Sequence, residues 1–185
     1  MSATRFDLSR YLPYLLNRAG VRIALAFTDE IRRFGISLPM WRVLAQLWHA
    51  DFQRQSDISE RTTIEPATLS RLLRSIEAKG LIVRTRSPTN GREVGVALTK
   101  EGRALTKRIL PIAVRYEALA AGTIPSDKIN MVKDVLIEIY RNIASYHDAL
   151  KGRQENTVAA TRNKRLRHKT EKRRHGTRAI RISAP

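Results

Sequence analysis

The stretch from Thr63 to Leu98 restricts the fold more than any other part of the chain. Pro66 sits where the first residue of a helix stands, since a missing N–H costs nothing there, and Ile64 is spaced to staple onto Leu69. Leu69, Leu72, Leu73 and Ile76 recur at i, i+3, i+4 and i+7, the stripe of a helix buried along one side, which turns Ala67, Thr68, Arg71, Arg74 and Ser75 to the other. Gly80 ends that helix as a C-cap. Leu81 to Arg86 is a short β-prone run, Ser87 to Glu93 is turn-rich, and Val94, Val96 and Leu98 alternate as a returning strand. Helix, turn, helix and a two-stranded wing is the pattern this order predicts.

Around that segment the apolar spacing is helical. Leu8, Leu12, Leu15, Leu16, Ala19, Ile23, Phe27, Ile31 and Phe34 define a long first helix, irregular at Pro13 and closed by Gly35. Ser37 is placed to cap a second helix striped by Trp41, Leu44, Leu47 and Trp48. Asp51 to Gln55 reads as a polar spacer, and Ser56 as the cap of a brief helix that ends near Thr63. Thr99 opens a further long helix through a capping box in which Gly102 spoils the third position, with a kink expected at Pro111. Ile129, Val132, Leu136, Ile139 and Ile143 stripe the last helix, with Ser126 or Asp127 as its cap. The expected fold is mainly α (α+β): an N-terminal dimerisation helix over 5–36, a winged helix-turn-helix over 37–98, C-terminal dimerisation helices over 99–150 and a disordered basic tail over 151–185. The first and last stripes are longer than the small winged domain is wide, so a second copy of the chain is expected to cover them.

Charge points to the partner. The chain carries 35 Lys and Arg against 17 Asp and Glu, a formal net charge of +18. Residues 151–185 hold twelve of the cations and two of the acids, which leaves +8 for 1–150. Such a balance selects polyanions. No cysteine is present, which excludes disulfides, thiolate metal sites and thiol nucleophiles. No apolar run reaches the roughly 18–20 residues of a membrane span, and the first ten residues lack a signal-peptide core, so a soluble cytoplasmic protein is expected. Phosphate-binding loops, His-Glu-x-x-His and Gly-x-Ser-x-Gly are all missing. Asp29 and Glu30 are adjacent, about 100° apart on a helix, and are not spaced to share chemistry. No catalytic, cofactor or metal site is expected.

The chemistry of the exposed faces follows. A helix bearing Thr68, Arg71 and Arg74 outward fits the major groove, where guanidinium forks bond guanine O6 and N7. Arg71 and Arg74 are the candidate base readers, with Thr68 and Ser70 on phosphates. Asn90 and Arg92 suit a minor-groove or phosphate contact from the wing, and Arg84 and Arg86 share one face of its leading strand. Arg84 is either a phosphate clamp or a partner in an ion pair within the domain. A second candidate set, Tyr11, Tyr14, Phe27, Trp41, Trp48 and His49 with Arg18 or Arg22, would line a cleft for an anionic ligand if these aromatics are not simply core. Against a sequence-specific regulator stands a second class of reading: a non-specific architectural DNA- or RNA-binding protein working through its basic tail.

From about Arg5 to Leu150 the chain resembles the multiple-antibiotic-resistance regulator (MarR) family of winged-helix transcription factors. The resemblance rests on Leu69-Ser70-Arg71, Lys79-Gly80-Leu81, Arg84, Arg92 and Leu98-Thr99-x-x-Gly102, in order and in register. It departs at the wing, where Asn90-Gly91-Arg92 replaces the family's Asp-x-Arg, so an amide stands where a carboxylate would brace Arg92. The resemblance implies a symmetric homodimer with intertwined terminal helices, binding of double-stranded DNA at a pseudo-palindromic operator, and repression. It also implies release by a small effector such as an aromatic acid or an acyl-CoA thioester.

Overall fold

A computed structural model describes residues 6–86, 94–146 and 150. The chain divides into two compact units, one up to Gly122 and one from Thr123. In the first unit a single 3-10 turn, Leu8–Arg10, precedes α1 (Leu12–Arg32). Pro13 therefore falls at the start of α1, not inside a longer helix. Then come α2 (Leu38–His49), α3 (Gln55–Thr62), α4 (Pro66–Ala78), the antiparallel pair β1 (Ile82–Arg86) and β2 (Val94–Leu98), and α5 (Lys100–Ala121). The second unit holds a helix over 126–146, here α6. This is the mainly helical winged-helix architecture expected from the sequence.

One core organises the first unit. Phe27 and Ile31 of α1, Trp41, Val43, Leu44 and Leu47 of α2, Ile58 of α3, Leu69, Leu73 and Ile76 of α4, Ile82, Val96 and Leu98 of the wing and Ile109 of α5 are all buried together. Only the last two turns of α1 take part. Leu12, Leu15, Leu16 and Ile23 of its stripe remain exposed.

Local chemistry sets the boundaries. Ser37 caps α2 by accepting from the Met40 N–H, and Gly35 leaves α1 at φ +71°. Two expected caps fall elsewhere. Ser56 lies inside α3, its hydroxyl turned to Asp57, and the cap position belongs to Arg54. Ser126 is already helical; the Pro125 carbonyl accepts from the Ile129 N–H, so neither Ser126 nor Asp127 stands at the cap of α6. In each case the helix starts one or two residues earlier than its first capping side chain suggests, because preceding carbonyls already find donors. The Asp51–Gln55 spacer is also corrected: Gln55 opens α3, and Gln53 is buried and bridged to Val96 of β2.

Thr99 caps α5, its Oγ1 accepting from the Gly102 N–H at 2.9 Å and donating to the Gly80 carbonyl at 2.7 Å. The Thr99 N–H meets the Leu81 carbonyl at 3.2 Å. A Cβ at Gly102 would overlap that same Leu81 carbonyl oxygen. Glycine at the third helical position, a flaw in the capping box, is thus what lets α5 approach the end of α4. The helix runs on through Pro111, whose ring leaves the Lys107 carbonyl without its usual donor.

Candidate nucleic-acid interface

The turn between α3 and α4 is built by three residues. Thr63 takes the left-handed conformation, φ 56°, and Ser59 Oγ donates to the Ile64 carbonyl at 2.6 Å. Glu65 then caps α4, its two carboxylate oxygens accepting from the Ala67 N–H at 3.1 Å and the Thr68 N–H at 2.9 Å. Those two backbone donors, helped by the Thr68 side chain and the charge of Arg71, hold the Glu65 carboxyl below its ordinary range. Sequence reasoning passed over Glu65, because Glu is an uncommon cap. The usable signal was its place immediately before a proline at the first helical position.

With its start fastened, α4 shows Ala67, Thr68, Arg71, Arg74 and Ser75 as exposed residues, while Leu69, Leu73 and Ile76 enter the core. Thr68, Arg71 and Ser75 follow i, i+3 and i+7; Arg74 stands one turn beyond Arg71. Ser70 is half-buried at the edge of this face. The far end closes by a Schellman motif: the Gly80 N–H bonds the Glu77 carbonyl at 2.8 Å, the Leu81 N–H bonds the Ile76 carbonyl at 3.2 Å, and Gly80 is at φ +68°.

On β1, Arg84 Nε lies 3.3 Å from Glu77 Oε2 of α4, so of the two open readings the ion pair within the domain is the one observed. Arg86 is exposed two residues further on. Asn90 and Arg92 lie outside the described residues.

The second candidate set separates. Tyr14, Arg18 and Arg22 share one open groove along α1, together with Asn17, Val21 and Leu25, which the sequence did not single out. Tyr11 packs instead at a tilt against Phe6, ring centroids 5.2 Å apart. Trp41 is in the core, edge-on to Phe27 at 5.7 Å, and Phe27 meets Tyr116 at the same distance, so these rings pack on one another instead of lining a cleft. Trp48 is half-buried under the Arg103 guanidinium at 5.8 Å, and His49 is exposed at the end of α2. Asp29 and Glu30 serve different partners: Asp29 pairs with Arg32, while Glu30 bridges Arg33 and Arg115. Among the described residues no group of three or more His, Asp or Glu is gathered as metal ligands, and no helix is long and apolar enough to cross a membrane.

Residues 36–94 match the family model for the MarR family. The chain is 30% identical over 109 residues to YdgJ, an uncharacterised HTH-type transcriptional regulator of Bacillus subtilis (strain 168); the match spans 59% of this chain and 66% of that protein, just under two thirds. It is 28% identical over 119 residues to an HTH-type transcriptional repressor of Mycobacterium tuberculosis, across 63% of this chain and 86% of the repressor. Among solved structures, CouR from Rhodococcus jostii RHA1 bound to p-coumaroyl-CoA superposes with a TM-score of 0.68 at 25% identity, over 72% of this chain and 94% of CouR. CouR bound to a 23-mer DNA duplex superposes with a TM-score of 0.64 at 27% identity, over 76% and 99%.

Proposed function

Because this chain belongs to the MarR family, we propose that it is a transcriptional regulator that binds a pseudo-palindromic operator as a homodimer, represses there, and is released by a small anionic effector. The observation that carries the DNA reading is α4, capped at both ends and turning Thr68, Arg71 and Arg74 outward. In this reading Arg71 and Arg74 contact base edges, Thr68 and Ser70 contact phosphate, and Arg86, Asn90 and Arg92 follow the backbone or minor groove beside them. Arg84, neutralised by Glu77, orients the wing more than it attracts phosphate. The relatives are regulators, which fits a protein that is not an enzyme.

Dimerisation is supported by apolar surface that each unit leaves open. Leu12, Leu15, Leu16 and Ile23 of α1 are exposed, as are Met131, Val132, Val135, Leu136 and Ile143 of α6. Patches of this extent mark interfaces. In a two-fold dimer the two α4 helices would stand about one DNA turn apart, roughly 34–36 Å. The effector reading rests on the α1 groove, where Arg18 and Arg22 meet a carboxylate or phosphate and Tyr14, Val21 and Leu25 meet an aromatic or acyl body. An aromatic acid or its coenzyme A thioester has that chemistry.

The test is selection of duplexes from a random-sequence pool by the full-length protein. An enriched inverted repeat supports the regulator. Equal retention of random duplexes and RNA would instead favour a general binder acting through the +10 segment of residues 151–185.

A further inference from the structure

Four residues that read as a spacer, Asp51 to Arg54, connect α2, α3, β2 and α5. Asp51 pairs with Arg103 in the first turn of α5. The Phe52 ring occupies the space over Gly95 of β2, where any Cβ would strike it. Gln53 and Val96 exchange both backbone hydrogen bonds, 3.1 and 2.9 Å, which gives β2 a partner on the edge that β1 leaves free. The Gln53 side chain is turned the other way, into α2: its Nε2 donates to the carbonyls of Gln46 at 2.7 Å and Ala50 at 3.2 Å, and its Oε1 accepts from Gln46 Nε2 at 2.9 Å. Gln53 is 7% exposed, and all its amide hydrogens and its oxygen are engaged. Arg54 then stands at the cap of α3.

A two-stranded ribbon has little rigidity of its own, and its angle to the neighbouring helix is set by whatever holds its edges. Here β1 is tied to α4 through Arg84 and Glu77, and β2 is tied to α2 through Gln53. Hydrophobic burial of Ile82, Val96 and Leu98 is non-directional and would tolerate a rotation of the wing; the Gln53 amide, with three partners at fixed angles, does not. We infer that Gln53, supported by Phe52 on Gly95, is a positioning residue that fixes the angle of the wing to α4 and thereby the wing's contact with DNA. The inference rests on the proposed reading of the wing as a DNA contact, and it assigns no contact with DNA to Gln53 itself.

A double-mutant cycle tests it, using the duplex selected by the full-length protein. Arg92→Ala is expected to weaken binding about tenfold, and Gln53→Met, which keeps the volume and removes the amide, by a similar factor. If Gln53 acts through the wing, the double variant binds no more weakly than Arg92→Ala alone. Phe52→Leu should behave as Gln53→Met does, and circular dichroism with thermal unfolding checks that each variant is folded. Losses that multiply to about a hundredfold overturn the inference, since Gln53 would then act without the wing. So does a Gln53→Met protein that unfolds at lower temperature yet binds as wild type, because its role would be stability alone. An Arg92→Ala protein with unchanged affinity overturns the wing contact itself while leaving operator binding by α4 intact.

Discussion

At the scale of single residues, three positions carry separate roles that single substitutions distinguish. Arg71 is exposed on a face whose opposite side is packed, so its removal leaves the core untouched. Arg71→Ala should weaken specific DNA binding by roughly 1–3 kcal/mol with unchanged thermal stability, read by titration of the selected duplex; equal affinity for that duplex rules out Arg71 as a base reader. Gly102 is the opposite case. A methyl group there meets the Leu81 backbone, not a movable side chain, so Gly102→Ala should cost roughly 1–3 kcal/mol in chemical denaturation, whereas alanine at the exposed Gly20 has open space and should cost nothing. Glu65 supplies a pH dependence. Its carboxyl titrates lower in the folded protein than in the unfolded chain, so the ionised form favours folding; that contribution is present above the unfolded value and is lost as pH falls through the folded one. Replacing it by glutamine keeps an acceptor and removes the charge. The stability difference between wild type and Glu65→Gln should therefore be present at neutral pH and close in acid, and a gap that stays constant across that range contradicts the cap's ionic part.

At the scale of elements, α4 and α5 are joined at their adjacent ends. The Gly80 and Leu81 carbonyls that follow the end of α4 are the acceptors for the Thr99 side chain and backbone at the start of α5. A displacement of α5 is thus transmitted to α4 with little slack, which suits the proposed control by an effector. The α1 groove supplies the corresponding test. Arg18→Ala with Arg22→Ala should leave DNA binding unchanged while abolishing release by whichever aromatic acid or thioester displaces the wild-type protein in a gel-shift screen. Release that persists in the double variant moves the effector site elsewhere.

For the whole molecule, charge and oligomeric state are the governing quantities. Residues 151–185 carry twelve cations and two acids, with no Phe, Tyr or Trp on which bases stack. Each phosphate they neutralise releases counterions, so a chain ending at residue 150 should bind all duplexes more weakly and with a shallower dependence on salt, while its preference for the selected duplex is retained. An unchanged salt slope would take this segment off the DNA. Sedimentation at micromolar concentration should give twice the 21.1 kDa of the chain; a monomer that still binds an inverted repeat with full affinity contradicts the dimer.

Much of this was legible without coordinates, for a local reason. Helical stripes, the proline at the start of α4, the glycines after α1 and α4 and the alternation of Val94, Val96 and Leu98 are short-range patterns, and each constrains backbone that lies within a few residues of itself. The faces of α4 followed directly, since burying Leu69, Leu73 and Ile76 leaves Arg71 and Arg74 no other side. What the local pattern left open was every decision made by a partner distant in sequence. Whether Arg84 is free depended on Glu77 across a turn, and whether Trp41 lines a cleft depended on Phe27 from another helix. Gln53 looks like any polar loop residue until Val96, forty-three positions later, takes its backbone and α2 takes its amide. Gly102 looks like a flaw until the Leu81 carbonyl arrives beside it. Hydrophobic periodicity is written into the chain one turn at a time, whereas the satisfaction of a buried polar group, or the absence of room for a methyl, is a property of two segments that only the folded chain brings together.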